Sequence, residues 1–311
     1  MRVVEAEAKS ILVPSKLPDA DYVINPYTGC AFGCAYCYAS FMGRSVGEEI
    51  SSWGEYVYVK TNAVELARND VQSMKPEKRN ATLLLSSVTD PYQGVESKYR
   101  LTRGILEVLV EAQWPGRVGI LTKSPLVTRD IDVLSQLPRP EVGLTVTTTD
   151  DNISKWLEVR APKASARLRA LRELADAGLP VYAFVGPLLP HFRSRPELLD
   201  RLFAGLAEAG VAELYIEHIN LKAYIRSRLQ PRLDSEPQHV RDSYIEARRD
   251  DYRAALGEIV EELRRKYGLR LRLDEVLYHQ AGAAAAAVKA APPSLKSDGA
   301  LLGLPSNGQP K

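Results

Sequence analysis

The sequence predicts an α/β fold, a partial (β/α)6 TIM-like barrel with a helical C-terminal extension. Three observations predict it. Short β-branched apolar runs alternate with longer stretches of helical period, and turn residues separate them. The helical stretches are amphipathic: 163–177 sets Leu168, Leu171 and Leu174 on one face and stops at Gly178 and Pro180. The 311 residues are 45% hydrophobic and 26% charged, an ordinary globular mix in a chain long enough to bury a sizeable core. Strands that alternate with helices pair in parallel through right-handed crossovers. Six such units make most of a barrel, with the reactive face at the C-terminal ends of the strands.

Residues 1–20 carry Pro14 and Pro18 and read as an irregular lead-in. The expected strands are 22–25, 82–87, 118–122, 142–147, 181–185 and 213–217, each a β-branched or apolar run. The expected helices between them are 62–74, 98–113, 127–136, 163–177 and 196–209. Segment 43–60 breaks the rhythm and is expected to be an inserted hairpin or loop. One long charged helix is expected over 239–266, its mixed charges marking a solvated cover. Residues 281–311 are Ala-rich, then rich in Pro, Ser and Gly, which predicts a short helix and a flexible tail. The expected domains are therefore the lead-in 1–20, a barrel over 21–235, a helical cover over 236–280 and the tail 281–311.

Lys and Arg number 41 against 39 Asp and Glu, a formal charge of +2, so bulk electrostatics selects neither nucleic acid nor a membrane surface. No apolar run approaches the roughly 20 residues that cross a bilayer. The N-terminus lacks a basic start followed by an apolar block. A cytoplasmic protein with no membrane partner is expected.

The three cysteines, Cys30, Cys34 and Cys37, fall within one stretch, NPYTGCAFGCAYCYAS, at 25–40. An odd, clustered set is a poor disulfide framework, and closely spaced thiols suggest a metal. The spacing C-x3-C-x2-C offers three thiolates to a cubic [4Fe–4S] cluster, and no fourth cysteine exists in the chain, so one iron is left for another ligand. Gly29 and Gly33 permit a tight backbone around it. A Cys3His zinc site is the rival, but His191, His218, His239 and His279 are all remote in sequence.

This cysteine motif, with Tyr36 just before its last thiol, resembles that of radical S-adenosylmethionine enzymes. Tyr36 and Tyr38 on either side of Cys37, SSVTDPYQ at 86–93, LTRGILEVL at 101–109, LTKSPLVTRD at 121–130 and VGPLLP at 185–190 resemble the spore photoproduct lyase-like branch, over about 20–225. The resemblance implies that Cys30, Cys34 and Cys37 hold a [4Fe–4S] cluster whose open iron chelates S-adenosylmethionine. It implies reductive cleavage to a 5′-deoxyadenosyl radical that abstracts a substrate hydrogen, with an electron donor such as flavodoxin or ferredoxin. It points to Thr89 and Asp90 for the methionine amine, Lys123 for its carboxylate, Thr145 and Thr147 for carboxylate or ribose, Gly186 for close approach of the adenosyl group, and Tyr36 for adenine. Tyr36 and Tyr38 match tyrosines that such enzymes use near the substrate. The chain departs from true spore photoproduct lyase at Val88, where a hydrogen-donating cysteine is expected.

Three readings of the substrate follow. A lesion-repair or modification lyase acting on nucleic acid is supported by LKAYIRSRLQPRL at 221–233, with Lys222, Arg226, Arg228 and Arg232 and no acid, and by His191, Arg193 and Arg195. A small-molecule or peptide substrate is supported by the near-neutral charge and the absent donor thiol. A non-catalytic zinc or iron–sulfur protein that binds nucleic acid predicts a metal but no cleavage.

Overall fold

A computed structural model describes residues 1–278. The expected tail at 281–311 lies outside the described residues. The strands are β1 (Arg2–Ala6), β2 (Leu12–Pro14), β3 (Tyr22–Ile24), β4 (Tyr27–Thr28), β5 (Tyr56–Lys60), β6 (Leu83–Leu85), β7 (Val118–Thr122), β8 (Pro140–Thr145), β9 (Val181–Leu188), β10 (Glu213–His218) and β11 (Arg270–Leu271). The α-helices are α1 (Ala63–Ser73), α2 (Glu96–Tyr99), α3 (Leu101–Glu111), α4 (Ile131–Leu134), α5 (Asp151–Glu158), α6 (Ala164–Asp176), α7 (His191–Ser194), α8 (Pro196–Glu208), α9 (Ala223–Leu233), α10 (Gln238–Glu246) and α11 (Asp250–Lys266).

The main sheet runs β11-β10-β9-β8-β7-β6-β3-β2, parallel throughout except for the β2–β3 pair. Its six middle strands are the six expected from sequence, in sequence order. Period-two alternation puts Leu83, Leu85, Val118, Ile120, Val142, Leu144, Ala183, Val185, Leu214 and Ile216 in the core, each fully buried or nearly so. They share that core with Leu106 and Leu109 of α3, Leu171 and Leu174 of α6, and Leu202 and Leu206 of α8.

The sheet curls. β3 and β10 are separated by four strands, which laid flat would hold them roughly 24 Å apart at ~4.8 Å per strand. Yet the Tyr215 hydroxyl of β10 donates to Asp19, in the segment entering β3. Tyr224, just past β10, likewise donates to the Tyr38 carbonyl at 3.2 Å. Side chains thus join the two flanks at both ends, although no backbone pairing closes the sheet among the described residues.

The lead-in is more ordered than expected. β1 pairs in parallel with β5, and β4 pairs antiparallel with β5, so 1–6 and 56–60 form a small sheet of their own. Pro14 sits at the end of an edge strand, where a missing N–H costs no ladder bond. Segment 43–60 is not a hairpin: it is 3-10 turns at Tyr38–Val46 and Ile50–Ser52 followed by β5. The expected helix 239–266 is two helices, because Arg249 is extended and Asp250 and Asp251 start a new first turn where acids suit the helix dipole. β11 joins β10, so the C-terminal cover shares the main sheet. No helix among the described residues is long and apolar enough to cross a membrane.

Candidate active site at the cysteine loop

β4 ends at Thr28, and the cysteine loop begins at once. Gly29 has φ +87°, and a Cβ there would lie 2.6 Å from the Tyr56 carbonyl oxygen of β5, so only glycine fits. Cys30 and Cys34 are buried in a cluster with Phe32, Trp53 and Tyr56, and half-buried Cys37 packs against it.

Side chains from three other parts of the chain grip the loop's backbone. Gln93 accepts from the Ala31 N–H at 2.8 Å and donates to the Gly29 carbonyl at 3.3 Å. Thr89 donates to that same carbonyl at 2.5 Å. Arg160, just past α5, donates to the carbonyls of Ala31 at 2.9 Å and of Gly54. Arg228 of α9 donates to the carbonyls of Cys34 at 3.0 Å and Ile50 at 2.9 Å. Backbone bonds add Ala35 N–H to Leu157 at 2.8 Å and Arg160 N–H to Phe32 at 3.1 Å.

Burial raises all three thiols. Cys30 is pushed well up, and Asp90 and the other two thiols push it further, while the Phe32 N–H pulls it down. Burial carries Cys34 up to about 12 against the pull of Lys123. Cys37 is raised by burial too, opposed by Lys123 and by the N–H groups of Ala39 and Ser40. These mutual effects place the three thiols, Asp90 and Lys123 in one neighbourhood.

Asp90 lies between β6 and β7. Its carboxylate accepts from the Thr122 hydroxyl at 2.6 Å, the Lys123 N–H at 2.8 Å and the Tyr92 N–H at 2.9 Å. Burial raises its pKa despite these bonds. Lys123, at the end of β7, sets its ammonium over the Tyr36 ring, 5.6 Å from the centroid. Beyond that ring the Tyr36 hydroxyl donates to Glu158, which pairs with fully buried Arg167. Burial alone lifts the Glu158 carboxyl, but Arg167 and Lys123 outweigh it and hold it below its ordinary value. Arg167 also donates to the Thr145 carbonyl at 3.0 Å. Thr147 is fully buried, and its hydroxyl has no hydrogen-bond partner among the described residues.

The structure therefore brings Cys30, Cys34, Cys37, Tyr36, Asp90 and Lys123 together, with Thr89 bonded to the start of the loop. Thr145 joins them through Arg167. It also commits several of them. The Tyr36 ring and hydroxyl are engaged by Lys123 and Glu158. Gly186 is filled from its own strand, since a Cβ there would overlap the Phe184 ring. Tyr38 is 43% exposed and donates to the Ser87 carbonyl. Val88 packs against the cysteine cluster. The basic run is divided: Arg228 donates to the cysteine loop, while exposed Arg226 donates only to the Leu221 carbonyl at 2.9 Å. His191 is buried between the rings of Trp156 and Tyr244, Arg193 stacks 4.8 Å from the Tyr252 centroid, and Arg195 pairs with Glu197.

Sequence reasoning missed Gln93, Glu158, Arg160 and Arg167. Gln93 closes the turn at 86–93, Glu158 and Arg160 fall in a crossover expected to be loop, and Arg167 looks like the solvated face of helix 163–177. The one local signal was Asp150, whose side chain caps α5 through the N–H groups of Asn152 and Ile153.

Comparison with known proteins decides the family. The model of the Radical SAM superfamily matches residues 24–202, more than half the chain and the whole cysteine loop. The chain belongs to the radical SAM superfamily. An uncharacterized protein of Methanocaldococcus jannaschii is 35% identical to this radical SAM protein over 224 residues, 72% of this chain and 80% of the relative. An uncharacterized protein of Mycobacterium tuberculosis is 29% identical over 286 residues, 85% of this chain and 81% of the relative. A relative from Pseudomonas phage M6, named radical SAM Nalpha-GlyT isomerase, is 26% identical over 62% of this chain and 38% of its own. Among solved structures, spore photoproduct lyase complexed with dinucleoside spore photoproduct superposes with a TM-score of 0.66 at 17% identity, covering 89% of this chain and 82% of that one. At that identity the likeness is one of fold. Family membership makes the chain an enzyme of the radical SAM class and implies S-adenosylmethionine and an iron–sulfur cluster.

The donor set fits such a group. Thiolates are the soft ligands of iron–sulfur clusters. The three thiols form no disulfide and come from one short loop. Ser40 and Thr147 add buried hydroxyls with no partner among the described residues.

Proposed function

We propose that this protein uses Cys30, Cys34 and Cys37 to hold a [4Fe–4S] cluster and cleaves S-adenosylmethionine reductively to modify a substrate by hydrogen abstraction. The observation that supports this most is the single buried loop carrying all three thiols, clamped by Gln93, Thr89, Arg160 and Arg228.

When bound, the cluster and S-adenosylmethionine supply a 5′-deoxyadenosyl radical. The residues around them orient and neutralise. Lys123 is the cation for the methionine carboxylate; burial pulls its pKa down, but Cys34 and Glu158 outweigh this, so it stays charged. Asp90 fixes Lys123 through its backbone N–H and offers its oxygens to the methionine amine together with Thr89. Thr145 and Thr147 serve the carboxylate or ribose. Tyr36 forms the shelf beneath, and Tyr38 is a contact for the substrate.

All three cysteines are spent on the loop, so no thiol remains to return a hydrogen atom to the product. A reaction that ends by oxidation, rearrangement or return from 5′-deoxyadenosine meets this constraint, and thymine-dimer reversal through a cysteine does not. Such an enzyme takes its electron from a carrier such as flavodoxin or ferredoxin. The test is anaerobic reconstitution followed by dithionite and S-adenosylmethionine. The expected result is roughly four irons per chain and formation of 5′-deoxyadenosine. A protein that takes up zinc and yields no deoxyadenosine overturns the proposal. Deuterated candidate nucleosides, peptides and small molecules then identify the substrate by which label reaches deoxyadenosine.

A further inference from the structure

Arg228 is a half-buried guanidinium without an acid. It stands on α9, beyond residues 24–202 of the superfamily match. Its partners are carbonyls: Ile50 at 2.9 Å, Cys34 at 3.0 Å, and Gly33 and Ala35 at 3.4 Å each. None of these hydrogen bonds goes to a carboxylate. Two other arginines near the site are paired, Arg167 with Glu158 and Arg160 with Glu55. A buried cation with no counter-charge is costly. A cavity of about 880 Å³ beside it, lined by Arg228, Arg232, Arg44 and Arg160 together with Glu48, Glu49 and Glu55, gives it water on that face. On its near face it donates to the Cys34 carbonyl, within the loop that carries the three thiols.

A cubane on three thiolates is anionic and gains another negative charge on reduction. The reduction potential of such a cluster follows the net charge and hydrogen bonds around it. We infer that Arg228 is the counter-charge to the cluster, a positioning residue that sets how readily the cluster accepts its electron. The inference rests on the function proposed above. In the step concerned, one electron leaves the reductant and is taken up at the cluster, and no bond forms or breaks.

The experiment is an anaerobic redox titration of the reconstituted full chain, followed by electron paramagnetic resonance. Arg228→Gln is expected to lower the reduced-to-oxidised ratio at fixed poise about tenfold, which is 59 mV for a one-electron couple. Arg228→Lys keeps the charge and stays within about threefold of the wild type. Arg160→Gln is the control: it also loses loop contacts, but Glu55 already balances its charge, and the ratio again stays within about threefold. An Arg228→Gln protein that holds its cluster at the wild-type ratio overturns the inference. If Arg228→Gln holds no cluster, Arg228→Lys decides: a cluster at the wild-type ratio supports the counter-charge, and an empty loop makes Arg228 a geometric clamp instead. Iron and sulfide absent from the wild type overturn the proposed function, and this inference with it.

Discussion

Tyr36 shows how one residue is shared between two duties. Its place before Cys37 makes it part of the motif, but its ring lies under the Lys123 ammonium and its hydroxyl is held by Glu158. Glu158 is in turn bonded to Arg167 and to the Ser154 hydroxyl at 3.0 Å. The sequence marked Tyr36 and Lys123 but not the ion pair behind them, because a helix residue near solvent and one buried in a charged pair are spelled alike. Arg167→Met leaves a buried carboxylate without its cation and is expected to cost about 3–5 kcal/mol, read from the denaturation midpoint. The double change Arg167→Met with Glu158→Leu should recover most of that loss, since it is the unpaired charge that destabilises. Cys34→Ala removes one corner of the cluster, and reconstituted protein is expected to lose most of its iron and all deoxyadenosine production. Iron content equal to the wild type would displace Cys34 from the ligand set.

At the scale of elements, the cysteine loop is held by segments far from it in sequence. β5 backs it through Tyr56, α5 reaches it through Leu157 and Arg160, and α9 reaches it through Arg228. The six middle strands and α1, α6 and α8 were legible because their apolar periodicity is clean. α5 and α9 were not. α5 is short and fills a crossover expected to be loop, and Pro231 inside α9 reads as a breaker. Buried Ile225 and Leu229 hold α9 in place and leave Arg228 on the loop side. Arg160→Ala is expected to lower iron retained after gel filtration by at least about half and to cost about 1–3 kcal/mol read from the denaturation midpoint, because it removes the donor to the Ala31 and Gly54 carbonyls, while its exposed pair with Glu55 adds little. Unchanged iron would show that the remaining clamps suffice.

For the whole molecule, acid is the expected weakness. Burial is the main cause that lowers His191 to about 4, with Arg195 and His239 adding to it. Burial, then Arg253, lowers His218 to about 4. Both are depressed from an unfolded value near 6.5, so the unfolded chain binds more protons between these values and stability rises with pH there. Their contribution is complete above roughly pH 6.5 and is lost as pH falls toward 4, about 2 kcal/mol for each by pH 5. Urea denaturation at pH 7 and pH 5 measures the loss, and His191→Phe should reduce it. An identical pH dependence in that variant would place the proton uptake elsewhere.

The sequence by itself determined the strand–helix rhythm, the six middle strands and their order, and a thiol set one ligand short of a full cluster. Those features are written locally, in hydrophobic period and in the spacing of Cys30, Cys34 and Cys37. Only the tertiary structure decided which charges meet that loop. The curl of the sheet brings Arg228 and Tyr224 from beyond β10 against residues 33–38, nearly two hundred positions earlier. No local pattern encodes such a meeting. It follows from where the core forces each element to lie, and burial then gives those few charges an influence that water would have screened.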